Sequence, residues 1–242
     1  MTNITTNSRR DFLKGGALLG AAAAATVVTA ATGAQATTTA APAITTPHLD
    51  ADMVTAAERA ANDKRVLVVV DYQVDFVNGS LGNDNAQAIE PAVVARIKAA
   101  IEAGDLIYYT MDTHPADTYE LTREGKRVKA HCVPGTPGWE LYGGARELLQ
   151  NSGATMVKKS TYGSVELPKL IDFAIHQGAN VTEIELIGVA TTACVINNAV
   201  ILLNHFPEVA LKVSRSATAS KAMEAQNVVL DQLGRFGIEI VD

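Results

Sequence analysis

Along most of the chain, apolar positions fall into two alternating patterns, short continuous runs and longer stretches with apolar residues three and four apart. The first run, Val66-Leu67-Val68-Val69-Val70, has no polar face. Five branched residues in a row suit a strand covered on both sides, as in a parallel sheet. Leu106–Thr110, Thr155–Lys158, Ile184–Ile187, Val209–Val213 and Ile238–Val241 read as further strands. Between them, the spacing predicts helices from about Pro91 to Ala103, Trp139 to Asn151, Glu166 to Gln177, Ala193 to His205 and Lys221 to Phe236. Such β–α alternation implies one α/β domain over 63–242, a doubly wound parallel sheet between two helical layers. Ligands of these sheets bind beyond the carboxyl ends of the strands, where Asp71, Asp112, Lys159 and Ala190 fall.

Residues 1–36 break this pattern. Arg9-Arg10 sits in a basic segment, followed by a weakly apolar Gly/Ala stretch from Gly15 to Ala31 and by Ala34-Gln35-Ala36, which has the form of a cleavage site. This is the make-up of a twin-arginine export signal, and it places the mature protein in the periplasm or outside the cell. A span needs roughly 20 strongly apolar residues, so no stable membrane insertion is expected after cleavage. Residues 37–62, rich in Thr, Ala and Pro, read as a flexible leader.

Charge narrows the partners. The 242 residues carry 20 Lys and Arg against 26 Asp and Glu, a net −6. Removing the signal takes Arg9, Arg10, Lys14 and Asp11, which leaves 17 basic against 25 acidic residues. Without a basic face to neutralise phosphates, nucleic acid is excluded as a partner, and a small-molecule substrate remains. The loop after the first strand, Tyr72-Gln73-Val74-Asp75-Phe76, is not glycine-rich, which disfavours a dinucleotide site. Cys132 and Cys194 are the only cysteines, and their positions leave a disulfide undecided.

Three residues at the expected sheet edge can carry chemistry. Cys194 follows a strand through small residues, Gly188 to Ala193, into a helix. Helix-end N–H groups and the helix dipole there would lower a thiol pKa, although a cysteine so placed can equally be a small core residue. Asp71 follows five apolar residues, where desolvation raises a carboxyl pKa toward that of a general base; as the alternative, it is a turn residue. Lys159 ends another strand beside Lys158, and strand alternation turns one of the pair inward.

Five segments taken together carry a resemblance: Val69 to Phe76, Asp112-Thr113-His114-Pro115, His131 to Gly138, Lys159 to Ser164, and Gly188 to Val195. In their order and residues they resemble the isochorismatase-like hydrolases, nicotinamidases in particular, with a Rossmann-like three-layer fold. The resemblance implies Asp71, Lys159 and Cys194 as a catalytic triad, with the backbone N–H groups of Ala190 and Cys194 as oxyanion hole. It also implies a cis peptide between Val189 and Ala190, substrate contacts from Phe76, Tyr162 and Gln73, and a homo-oligomer. The implied reaction is hydrolysis of a carboxamide C–N bond through a thioester. Alternatives on the same fold are hydrolysis of a vinyl ether and non-catalytic binding of a small molecule.

Asp112, His114 and His131 match three of the four ligands that hold zinc, iron or manganese in metal-dependent nicotinamidases. The fourth position falls at Thr118, a poor ligand, with Glu120 the nearest carboxylate, so weakly retained metal is expected, or a polar loop without metal. Val128 stands where nicotinamidases tend to place an aromatic ring, and Thr192 where the family often has an acid. Trp139 and Phe76 are candidate apolar walls, and Tyr119 to Lys129 is expected to cover the pocket.

Overall fold

A computed structural model describes residues 61–242. The expected export signal and all but the last two residues of the expected leader lie outside the described residues. Six strands form one sheet: β1 (Asp63–Val70), β2 (Leu106–Asp112), β3 (Thr155–Lys159), β4 (Asn180–Val189), β5 (Ala210–Ala219) and β6 (Glu239–Val241). Every neighbouring pair is parallel, and the order is β3-β2-β1-β4-β5-β6. The helices are α1 (Val74–Val77), α2 (Asp84–Ala88), α3 (Glu90–Ala103), α4 (Gly143–Asn151), α5 (Glu166–His176), α6 (Ile196–His205) and α7 (Met223–Arg235).

The unbroken apolar run of β1 makes this arrangement possible. Val66, Val68 and Val70 face a core completed by α5, α6 and α7, through residues such as Ile171, Leu202 and Leu230. Leu67 and Val69 face a second core against α3 and α4, with Val93, Ile97 and Leu149. Winding runs outward from β1 in both directions, so the chain reverses between β1 and β4. That reversal opens a crevice at their carboxyl ends. Close approach of the two strands there depends on Gly188, at φ +107°, because a Cβ at this position would run into the Val70 carbonyl oxygen.

Several elements depart from the sequence pattern. β4 and β5 run to 10 residues each, through polar positions that read as strand ends. In β4, Glu185 is buried on the sheet, ion-paired to Arg96 of α3, which is how a charged residue sits mid-strand. The helix expected from Trp139 begins only at Gly143, because Pro137–Trp139 forms a 3₁₀ turn and Leu141 bridges to Gln73. The helix expected from Ala193 is preceded by a π-helical turn, Thr191–Val195, that contains Cys194. No helix among the described residues is long and apolar enough to cross a membrane.

Candidate active site

Asp71 leaves β1 in a left-handed conformation, φ 44°, rare for a residue with a side chain. Thr110 of β2 holds it there: the Asp71 N–H donates to the Thr110 hydroxyl at 3.1 Å, and that hydroxyl donates to Asp71 Oδ1 at 2.7 Å. The other oxygen, Oδ2, lies 2.6 Å from Lys159 Nζ. Lys159 ends β3 with its side chain buried, whereas Lys158 points out and lies over the Trp139 ring, as strand alternation requires.

Lys159 Nζ also reaches Asp112 Oδ1 at 3.0 Å and Cys194 Sγ at 3.6 Å. One buried ammonium therefore touches two carboxylates and a thiol. Burial opposes its charge, but Asp71, Cys194 and Asp112 outweigh burial and hold its pKa well above the ordinary lysine value. The two carboxyls are driven apart. Burial pushes the Asp71 pKa up against the pull of Lys159. For Asp112 burial is overcome by the neighbouring His114 and His131 rings and by Lys159, so it stays well below the usual carboxylate range. Opposed shifts of this kind suit one carboxyl to accepting a proton and the other to serving as a fixed charge.

Cys194 corrects one sequence expectation. A helix start was expected to lower its thiol pKa, yet burial first and the Asp71 charge second hold it well above the ordinary thiol value, against the pull of Lys159. Desolvation outweighs the helix end here. Asn198 of α6 anchors the π turn, donating to the Cys194 carbonyl at 2.8 Å and accepting from the Ser164 N–H at 3.0 Å. The Val189–Ala190 peptide is cis, as the family resemblance implies. Both cysteines are free and buried, and burial pushes the Cys132 thiol up as well.

Beside this cluster, Asp112 Oδ2 lies 2.9 Å from His114 Nε2 and 3.3 Å from His131 Nε2. Glu124, rather than Thr118 or Glu120, completes the group, with carboxylate oxygens 3.8 and 3.9 Å from those two nitrogens. Thr118 and Glu120 are exposed on either side of buried Tyr119. The position implied by the family resemblance is thus not the one that supplies the fourth group, because a 3₁₀ turn at Tyr119–Leu121 carries the chain around before Glu124 returns to the site. The four ligand atoms lie within 4.8 Å of one another. His131 Nδ1 donates to the Lys129 carbonyl at 2.9 Å, so in the neutral ring Nε2 carries a lone pair, and that buried nitrogen has no hydrogen-bond partner. A fixed tautomer with an unsatisfied, inward-facing nitrogen fits a metal ligand.

A cavity of about 260 Å³ opens on Cys194. Phe76 and Tyr162 line it, as do Val128, Thr192 and Ala190. Gln73 does not; its amide is consumed in holding backbone, donating to the Asp112 and Trp139 carbonyls and accepting from the Asp112 N–H at 2.7 Å. Trp139 packs in the second core instead, its indole N–H donating to Thr113. Asp75 ties the turn after α1 to the segment that carries His131, accepting the Ser80 N–H at 3.0 Å and the Cys132 N–H at 2.7 Å. Glu124, Thr110 and Asn198 were not found from sequence; for Asn198 the available signal was a polar residue on the buried face of an apolar helix.

The fold and site define a three-layer α/β/α protein of the hydrolase type, with a carboxylate, an ammonium and a thiol buried together at its switch point. The chain belongs to the isochorismatase family: residues 65–242 match the isochorismatase domain, and residues 6–26 match a twin-arginine translocation signal sequence. Among solved structures, it is similar to a nicotinamidase/pyrazinamidase from Bacillus subtilis, at 26% identity and a TM-score of 0.66, over 74% of this chain and 100% of that one. A pyrazinamidase of Pyrococcus horikoshii in complex with zinc matches at 29% identity and a TM-score of 0.64, over 74% of this chain and 99% of that one. An N-carbamoylsarcosine amidase from Thermoplasma acidophilum shares the fold at 23% identity and a TM-score of 0.60, over 74% and 95% of the two chains. No curated protein matches the sequence.

Proposed function

We propose that the protein is an exported, cysteine-dependent amidohydrolase that cleaves the C–N bond of a small carboxamide, with Cys194 as nucleophile, Asp71 as general base and Lys159 as their shared cation. The observation that carries this reading is Lys159 Nζ, buried, 2.6 Å from Asp71 Oδ2 and 3.6 Å from the Sγ of Cys194, which lines a cavity. Burial holds both the thiol and the Asp71 carboxyl above their ordinary pKa values, so the resting site favours a thiol over a free thiolate. Proton transfer from Cys194 to Asp71 then accompanies formation of the S–C bond. The backbone N–H groups of Ala190 and Cys194 hold the oxyanion. As the C–N bond breaks, Asp71 returns the proton to departing ammonia. A water, losing its proton to Asp71, hydrolyses the thioester and restores the thiol.

Asp112, His114, Glu124 and His131 are the residues that would hold a divalent ion, and this mixed nitrogen and oxygen set suits zinc, iron or manganese. Such an ion supplies a Lewis-acidic point for a ring nitrogen or a carbonyl oxygen of the substrate. Phe76 and Val128 contribute the apolar walls against which a small acyl group packs. The signal at the N-terminus directs the mature enzyme to the periplasm or beyond, and we expect it to act as a homo-oligomer.

The test is ammonia release from a panel of small carboxamides, paired with mass spectrometry of enzyme quenched during turnover. An acyl adduct on Cys194 supports the reading. Cleavage of a vinyl ether without any adduct, or no turnover of either class, overturns it.

A further inference from the structure

The cavity above Cys194 adjoins a second, outer one of about 340 Å³ that shares Glu124 and Tyr162 with it. The mechanism above makes no use of this space. Ligand sites for drug-sized molecules usually run from about 300 Å³ upward, so the inner cavity alone is small and the two together fall well within the range. The outer cavity is also lined by Arg123, Arg127, Thr122, Ser160 and Thr161.

Its charge is opposite to that of the protein. On a chain of net −6, the segment from Tyr119 to Ala130 carries Arg123, Lys126, Arg127 and Lys129 against Glu120 and Glu124. The Glu124 carboxylate faces inward, to His114 and His131. Among the described residues, neither Arg123 nor Arg127 is ion-paired. Arg127 stands near Tyr162, where its charge opposes the upward push that burial gives the phenol. Two guanidiniums that no carboxylate pairs, on the wall of a cavity whose one carboxylate is turned to the histidines, form a site for a planar anion.

We propose that this outer cavity is an anion subsite, and that the natural substrate is an amide whose acyl portion ends in a carboxylate seated on Arg123 and Arg127 while its carboxamide reaches Cys194 past Tyr162. The substrate class rests on the amidase reading; the subsite itself does not.

The experiment compares straight-chain dicarboxylic acid monoamides of increasing length with neutral counterparts ending in a methyl ketone. For the chain length that spans the two cavities, the carboxylate form is expected to have a KM lower by about tenfold or more, an advantage that shrinks with added salt. Combining Arg123→Gln with Arg127→Gln should bring the two KM values within about twofold, and Arg127→Glu should reverse the preference. Equal KM values at every length, or an advantage that survives both glutamines, overturn the proposal. So does an advantage lost instead with Lys221→Gln, since Lys221 lines only the inner cavity. If no amide is turned over, calorimetric binding of the same pairs to the Cys194→Ala protein decides the subsite separately. Tighter, Arg127-dependent binding of the carboxylate form keeps the subsite while the amidase reading falls, and equal binding overturns the subsite too.

Discussion

Asp112 and Lys159 are register partners at the ends of β2 and β3, and their side chains meet at 3.0 Å. The contact uses only Oδ1 of the carboxylate, while Oδ2 faces His114 and His131. Asp112 thus belongs to two clusters at once, and its fixed negative charge couples the lysine beside the thiol to the four-residue ligand group.

Removing the lysine strands two carboxyls. Lys159→Met should abolish turnover and lower stability to urea by on the order of 3–5 kcal/mol, the usual cost of leaving a buried charge unpaired. Adding Asp71→Asn to that background should recover part of the stability and none of the activity. An additive loss in the double variant would show that the two groups are not coupled as their 2.6 Å contact requires.

The two thiols should separate cleanly. Cys194→Ala is expected to cost at least on the order of a thousandfold in kcat with the fold intact by circular dichroism. Cys132→Ala, which touches no reacting atom, should keep most activity and lose about 1 kcal/mol of stability from its small buried cavity. Comparable activity losses in both variants would contradict the assignment of Cys194.

Acid should remove activity earlier than an ordinary carboxylate would allow. Asp71 must be ionised to accept the thiol proton, and its folded-state pKa is raised above 3.8, so kcat/KM falls as pH drops through that raised value. Its effect on stability has the opposite sign: the contribution of a raised carboxyl is fully present below the unfolded value and is lost as pH rises through the folded one. A pH–rate profile whose acid limb lies at or below 3.8 would rule out Asp71 as the base.

Metal content should follow Glu124 and ignore Thr118. Elemental analysis is expected to show reduced metal in Glu124→Gln and His131→Ala and no gain in Thr118→His, whose side chain is exposed. The sequence expectation of weakly held metal assumed three ligands; with four, tighter retention is expected. Metal restored to higher content by Thr118→His would show that the loop places that position inward.

Export should depend on the paired arginines. Replacing Arg9 and Arg10 by lysine should leave the precursor in the cytoplasm, read by fractionation and the mass of the N-terminus. Undiminished export of the doubly substituted protein would exclude the twin-arginine route.

What the sequence by itself determined was whatever depends on local pattern. Unbroken apolar runs identified β1 and the parallel sheet, and spacing identified the main helices. Asp71, Lys159 and Cys194 were candidates because each ends or follows a strand, and the family resemblance, rather than position, singled them out as a triad. Only the tertiary structure decided what depends on distant segments meeting. Nothing in the spacing of Glu124 from His114 says that a 3₁₀ turn brings its carboxylate back, and nothing local says that Gln73 exhausts its amide on the Asp112 backbone. The Cys194 thiol was misjudged for the same reason. Its helix position is readable in sequence and favours a thiolate, but its protonation follows from burial and from the Asp71 charge, both set by strands far apart in the chain. Desolvation and Coulomb interactions depend on distance in space, and sequence spacing fixes that distance only within a single element.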